Sequence, residues 1–382
     1  MHLSDWMQRV DLGKEIQEVY LHSFLFKLAV KTVSIFLPLF ILDLGYGFST
    51  VFVFFAVYYS SYIFTSWPNA EVVSRIGYKH SSLLSSPFIL VFYLLLRSEP
   101  STLVLYGTGF LGGSAFNLYW MGMNPEIATS SHRESREKET GFFFSMPSLA
   151  SIISPFAGGL VLASFGFHGL FLLASALIAA SFTPFLFSSE HSDGLDLDLS
   201  EFLRDANPTD FLTFTLKGVN SIGKKVLWPL YLALVIQSSL SIGGAGSLLS
   251  LGSAITSIFL GRITNSDNRR QVILTGSALT GLSYLLMSSV TSTVPALAVS
   301  FINGLAYNAV NIPVYSRAQD HAENEDVIEY FALREIALSV GRCGALGVAA
   351  ALFYFLPETR FLASFTFVAA SVVLTGYFGG KM

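Results

Sequence analysis

Phe36-Leu37-Pro38-Leu39-Phe40 lies inside the first long apolar run, and Leu227-Trp228-Pro229-Leu230-Tyr231 lies inside another, 191 residues further along a chain of 382. The same displacement lays Arg75-Ile76-Gly77-Tyr78-Lys79 on Ser266-Asp267-Asn268-Arg269-Arg270, and Asn117 on Asn308. Each pair falls in, or just after, the same ordinal apolar run of its half. One match at a fixed displacement is chance. Three in register point to a duplicated unit.

The units are membrane-embedded. Hydrophobic residues make up 52% of the chain, charged ones 13%, and the mean hydropathy is +0.57. Soluble domains carry about 25% charged residues. A crossing helix needs about 20 mostly apolar residues. That ruler predicts an all-α protein with spans at 21–42, 49–71, 80–96, 102–124, 141–164 and 168–188, then 209–236, 242–262, 271–290, 293–316, 328–353 and 361–380. The domain reading is a bundle over 1–188, a linker over 189–208 and a second bundle over 209–382. Asp193, Asp196 and Asp198 in the linker lack the spacing of a calcium loop.

Basic residues set the orientation. Alternate loops carry Arg75 and Lys79; Arg133, Arg136 and Lys138; Arg204; Arg262, Arg269 and Arg270; and Arg317. The opposite loops hold little beyond Arg97 and Arg360. By the positive-inside rule both termini are expected in the cytoplasm and the chain in the cell membrane. Residues 1–20 read as a lead-in, with Trp6, Met7 and Val10 on one face, and not as a cleavable signal.

Cations recur inside the apolar runs. Lys27 and Lys31 lie in span one; Lys217, Lys224 and Lys225 lie in span seven. A charge at the bilayer centre costs about 2.5–3.5 kcal/mol on insertion scales. Lysines kept there in both halves imply a hydrated, positively charged space between the bundles, suited to an anion. Side chains three or four apart share a helix face. Lys27 and Lys31 share one with Ser23, Ser34 and Pro38; Lys217, Asn220, Lys224 and Trp228 share another. A step of about 100° turns Lys225 away from Lys224. Further polar stripes are Tyr58, Tyr62 and Asn69; Asn117, Trp120 and Asn124; and Asn308, Asn311 and Tyr315. Glu335 and Arg342 lie two turns apart on span eleven, so Glu335 is the one deep acid beside the cations.

This arrangement resembles the major facilitator superfamily across nearly the whole chain. The family's loop signature after span two is Gly-x-x-x-Asp-Arg-x-Gly-Arg-Arg/Lys. Here Ala70 and Ser74 replace its Gly and Asp, Arg75, Gly77 and Lys79 match, and Tyr78 takes a basic place. The second copy has Gly261, Asn265 for Asp, Arg269 and Arg270. In the family this loop helps close the cytoplasmic side by charge pairing; both copies here lack the acid. Ser154-Pro155-Phe156-Ala157-Gly158-Gly159 is similar to an antiporter element, with Ser for its leading Gly. The drug/proton antiporters carry a basic residue in span four, and none occurs between Arg97 and Arg133. The resemblance implies twelve helices in two pseudo-symmetric bundles, a cavity lined by spans one, two, four, five, seven, eight, ten and eleven, and alternating access.

Two motifs fail on context. Gly107-Thr108-Gly109-Phe110-Leu111-Gly112 spells a dinucleotide fingerprint, but inside an apolar span. Gly218 to Lys225 nearly spells a phosphate loop, with Lys225 where a hydroxyl belongs; its glycines are expected to loosen span seven. Cys343 is the single cysteine, so neither a disulfide nor a thiolate metal cluster is expected. No nucleotide, cofactor, metal or nucleic-acid site is expected, and no enzyme.

The expectation is a gradient-driven secondary transporter of a small anionic organic solute. Lys27, Lys31, Lys217, Lys224 and Arg342 bind it, with Tyr58, Tyr62, Asn117, Trp120, Asn220, Trp228, Asn308, Asn311 and Tyr315 as the other contacts. Arg75, Gly77, Lys79, Arg269 and Arg270 form the gating loops. Coupling runs by proton symport through Glu335 or a buried lysine, or by exchange of anions. Two alternatives stay open: efflux of amphipathic drugs or lipids, and a non-transporting receptor on the same fold.

Overall fold

A computed structural model describes the backbone of residues 14–129, 136–187, 207–263, 268–322 and 327–381, and the side chains of somewhat fewer. The lead-in with Trp6, Met7 and Val10, and nearly all of the 189–208 linker, lie outside the described residues. Among those described the chain is helical. Its elements are α1 Lys14–Ser34, α2 Leu37–Asp43, α3 Phe48–Ile76, α4 Tyr78–Arg97, α5 Thr102–Thr129 and α6 Arg136–Phe182. A 3-10 turn follows at Thr183–Phe187. Then come α7 Pro208–Ile222, a π-helical turn Gly223–Leu227, α8 Trp228–Val235, α9 Ser239–Ile263, α10 Arg269–Ser288, α11 Thr293–Ala322, α12 Val327–Phe355 and α13 Arg360–Gly379.

Nine helices among the described residues are long and apolar enough to cross a membrane. One of them runs from Ser148 to Phe185 and is broken at Gly166, whose φ of +65° no side-chain-bearing residue adopts readily. Its halves are the fifth and sixth spans. α5 and the α7–α8 rod also have crossing length, which brings the segments to twelve. Many large apolar residues are uncovered, Leu103, Tyr354, Val294, Phe165 and Phe355 most of all. A perimeter of that kind suits lipid.

The sequence repeat is a structural one. Pro38 opens α2 and Pro229 opens α8, each just after an interruption in its span. Proline suits such a place, because first-turn N–H groups have no helical partner. Gly77, at φ +86°, caps α4, and Asn268 caps α10. Asn117 of α5 donates to Ser66 Oγ of α3 at 3.0 Å, and Asn308 of α11 donates to Ser257 Oγ of α9 at 2.9 Å. Ser66 and Ser257 stand at the same 191-residue displacement. So do the close approaches of Gly113 to the Tyr58 carbonyl and Gly304 to the Leu249 carbonyl, where a Cβ would overlap backbone oxygen.

Two seams join the bundles. α6 packs on α9, and α3 packs on α12. On the first seam Gly243 and Gly246 of α9 lie against Pro155, Gly159 lies against Ser239, and the Phe156 amide donates to Ser247 Oγ at 3.1 Å. The Ser154–Gly159 element therefore sits where the bundles touch. On the second seam, at the end opposite the termini, Phe353 meets Phe48 and Phe52 with centroids 5.2 and 4.9 Å apart. At the end carrying the termini, Ala70, Val73, Leu118 and Met121 cluster with Ile328 and Ala332.

Candidate functional site

The charged residues of the interior converge from both bundles. Lys31 comes from α1, Lys224 and Lys225 from the π-turn, and Arg342 and Glu335 from α12. Lys225 Nζ stands 5.9 Å from the Tyr59 ring of α3, and the Arg342 guanidinium stands 4.9 Å from the same ring. Arg342 also lies 5.7 Å from the Tyr62 ring. Lys224 Nζ lies 3.9 Å above the Tyr307 ring of α11. Such contacts hold cations in place without neutralising them. Lys225 stays exposed in mid-span while its neighbours come from both bundles, so it faces an open space between them.

A π-turn at Gly223–Leu227 interrupts span seven, with Lys224 turned to the Tyr307 ring and Lys225 to the Tyr59 ring. Ideal helical steps put Lys224 and Lys225 on different faces. A π-turn closes i→i+5 hydrogen bonds and shifts the register of all that follows. Both lysines come within electrostatic reach of each other and of Lys31. The turn begins at Gly223, inside the glycine-containing stretch whose loosening was expected.

Asn220, which precedes the turn, and Trp228, which follows it, both lie away from the lysine cluster. Asn220 is 2% exposed and its Oδ1 accepts from Tyr284 of α10 at 2.7 Å. Trp228, 1% exposed, donates to Ser300 Oγ at 3.1 Å and packs on Tyr231 and Phe365. Both serve the interior of the second bundle. Asn117 is 0% exposed: its Oδ1 accepts from Asn69 at 2.7 Å while its amide holds Ser66. Its amide joins helices, and it does not face the open space. Asn308 spends its amide on Ser253 O and Ser257 Oγ. Tyr58 packs with Phe92 and Phe116 inside the first bundle, and Trp120 packs against the Tyr119 ring. Asn311 lies beside the Tyr307 hydroxyl.

Glu335 is shared by two arginines. Arg334 approaches Oε1 at 3.2 Å and Arg342 approaches Oε2 at 3.6 Å. Arg334 also lies 5.2 Å from the Tyr315 ring and within reach of Lys217. Sequence reasoning missed Arg334, Tyr59 and Tyr307. Arg334 was signalled by its place beside Glu335, whereas nothing in the spacing separated Tyr59 from Tyr58 and Tyr62. Among the described residues, Lys27, Lys31, Lys217, Lys224 and Lys225 make no ion pair. Among the described residues, the basic side chains of α1, the α7–α8 rod and α12 thus outnumber the one carboxylate, Glu335, that pairs with any of them.

The loop after α3 keeps its charge pairing with other acids. Arg75 meets Glu71 at 3.7 Å on the surface. Lys79 meets Glu126 of α5 at 3.7 Å with both side chains buried. The acid missing from the loop is thus supplied by α3 and α5. In the second copy Arg269 is half-buried and Arg270 exposed at the start of α10. Lys79→Gln strips a partner from a buried carboxylate, a change that costs about 3–5 kcal/mol. We expect a clear fall in melting temperature, partly restored in Lys79→Gln/Glu126→Gln; equal melting of all three proteins refutes the pairing's role.

Comparison with known proteins agrees with this architecture. Residues 19–217 and 213–380 each match the Major Facilitator Superfamily. The multi-drug resistance efflux pump PmrA of Streptococcus pneumoniae is 27% identical over 167 residues, which cover 43% of this chain and 42% of that protein. The match thus spans less than half the length of that relative. A PmrA homolog from Lactococcus lactis is 23% identical over 325 residues, 80% of each chain. The human organic anion transporter MFSD10 (TETRAN) superposes with a TM-score of 0.70 at 14% identity, covering 96% of this chain and 99% of that one. A POT family transporter in complex with 5-aminolevulinic acid gives a TM-score of 0.73 at 15% identity, covering 95% and 94%. At those identities the superpositions speak for the fold alone.

Proposed function

The chain belongs to the Major Facilitator Superfamily and is a multi-pass membrane transporter, and on that premise we propose that it carries a small anionic organic solute by alternating access. The charge balance of the interior carries this reading. Lys31, Lys224 and Lys225 make no ion pair among the described residues, and Arg342 shares Glu335 with Arg334. In a low-dielectric span such a cluster is unfavourable until an anion enters it. Carboxylates and phosphates satisfy lysine and arginine by charge-assisted hydrogen bonds. Tyr59, Tyr62 and Tyr307 line the same space and would cover the solute's apolar part.

Glu335 is the group through which binding would couple to protons. An incoming carboxylate competes with it for Arg342, and a Glu335 displaced from its arginines takes up a proton. Glu335→Gln is then expected to leave exchange of solute for solute intact and to abolish accumulation driven by a proton gradient. Undiminished proton-driven accumulation by that variant excludes this role. The basic loops favour a cytoplasmic placement for both termini.

A second reading, efflux of amphipathic drugs, is favoured by the names of the relatives in Streptococcus pneumoniae and Lactococcus lactis and by the tyrosine-lined interior. Competition separates the two. Organic anions that block transport while tetraphenylphosphonium does not support the anion carrier; the reverse pattern supports efflux.

A further inference from the structure

We infer that the solute carries at least two separate anionic groups, one for the lysines Lys31, Lys224 and Lys225 and one for the arginines Arg334 and Arg342. This rests on the anion reading and sharpens it. The cations fall into two groups of different chemistry. The lysine group joins α1 to the π-turn and makes no ion pair with a carboxylate among the described residues, Glu335 reaching Lys225 only at longer range. Its three charges repel one another. The arginine group already holds Glu335, at 3.2 Å from Arg334 and 3.6 Å from Arg342, so one of its two charges is balanced.

That group still has open donors. Nε of Arg334 and Nε of Arg342 are buried with no hydrogen-bond partner. Nη1 of Arg342 is turned to Glu335 and to Ser339 Oγ, the latter at 3.2 Å. Its Nε is left without a partner. Native proteins rarely leave such donors unmade, because a buried unsatisfied group forfeits its hydration for nothing. The guanidinium edge suits two oxygens of a planar carboxylate or of a phosphate, whereas a lysine takes either as a point charge.

Tyr59 bridges the two groups. Lys225 Nζ lies 5.9 Å and the Arg342 guanidinium 4.9 Å from its ring centroid. A chain of a few carbon atoms therefore reaches from one to the other. A solute with a single charge leaves one group unanswered. A short solute with an anion at each end answers both, and the tyrosine ring packs on the carbons between.

The test is binding to the purified full chain, followed by thermal shift and calorimetry. Succinate, glutarate and adipate are compared with their monomethyl esters, which keep the length and lose one charge. The phosphonate analogue 3-phosphonopropionate distinguishes a phosphate from a second carboxylate, and tetraphenylphosphonium serves as the cationic probe. At least one diacid or the phosphonate is expected to bind about tenfold or more tightly than its half-ester. Lys224→Gln/Lys225→Gln is expected to bring that ratio close to one. Half-esters that match the diacids in the wild type overturn the two-anion inference and leave the anion reading standing. Binding of tetraphenylphosphonium with no response to any anion overturns both. The wild-type ratio decides the matter even if the double variant does not fold.

Discussion

Arg342→Gln protein in sealed vesicles is expected to lose anion uptake by about two orders of magnitude or more, with Lys31→Ala and Lys224→Ala each losing roughly 10- to 100-fold. A hydrogen bond to a charged group contributes about 1.5–3 kcal/mol, which is roughly 10- to 150-fold in an equilibrium. Arg342 stands at the upper end for two reasons. It crosses the bundle boundary to the rings of Tyr59 and Tyr62. It also holds one oxygen of Glu335, whose charge the substitution leaves to Arg334 alone. Truncating one partner of a buried charge pair costs about 2–5 kcal/mol. Initial uptake rates, normalised to inserted protein, measure the loss. Full uptake by both lysine variants removes those residues from the mechanism.

Gly341→Leu is expected to prevent assembly of the second bundle. Gly341 of α12 lies against the Thr215 carbonyl of α7, and Gly218 of α7 lies against the Leu338 carbonyl of α12. The helices touch backbone to backbone at that crossing. Without a hydrophobic drive inside the bilayer, such close approach is how spanning helices associate. Overpacking a core ordinarily costs about 1–3 kcal/mol, and an obstacle of rigid backbone puts this site beyond that range. The crossing also fixes α12, which carries Arg334, Glu335 and Arg342. The expected result is loss of the monodisperse peak in detergent, and a fall of melting temperature of well over 10 °C in any folded remainder. A variant that melts with the wild type contradicts the packing described.

Most of the fold was legible because lipid removes ambiguity. A spanning segment satisfies its backbone only as helix, so run length alone marks the elements. The 191-residue register carried more than expected. The matched prolines fall at two interrupted spans, the matched loops cap α4 and α10, and the Ser66–Asn117 and Ser257–Asn308 bonds follow the same register. The site was legible at the level of residue type. Lysines inside apolar runs singled out spans whose charged side chains converge in the structure, because retained charge in a membrane needs a reason.

Orientation within the spans was not legible where the helix departs from 3.6 residues per turn. The π-turn shifts the register between Asn220 and Trp228, and those two side chains bond to Tyr284 and Ser300. A periodic stripe cannot anticipate that shift. Asn117 looked like a ligand contact for a different reason. Polar residues that tie spanning helices together and polar residues that face a solute look alike in a sequence. Only the burial of Asn117 and its bonds to Ser66 and Asn69 tell them apart. Arg334 went unnoticed because heptad spacing drew attention to Arg342, although the neighbour of Glu335 was equally deep.

The central claim is that unpaired cations from both bundles meet in one chamber and select an anion. Its most direct test is counterflow into vesicles preloaded with an unlabelled diacid and diluted into the labelled one, with wild type and a Lys31→Gln/Lys224→Gln/Lys225→Gln variant side by side. The wild type is expected to accumulate label transiently and the triple variant to stay at the level of empty vesicles. Equal accumulation by the two proteins, or counterflow of tetraphenylphosphonium and of no anion, contradicts the claim.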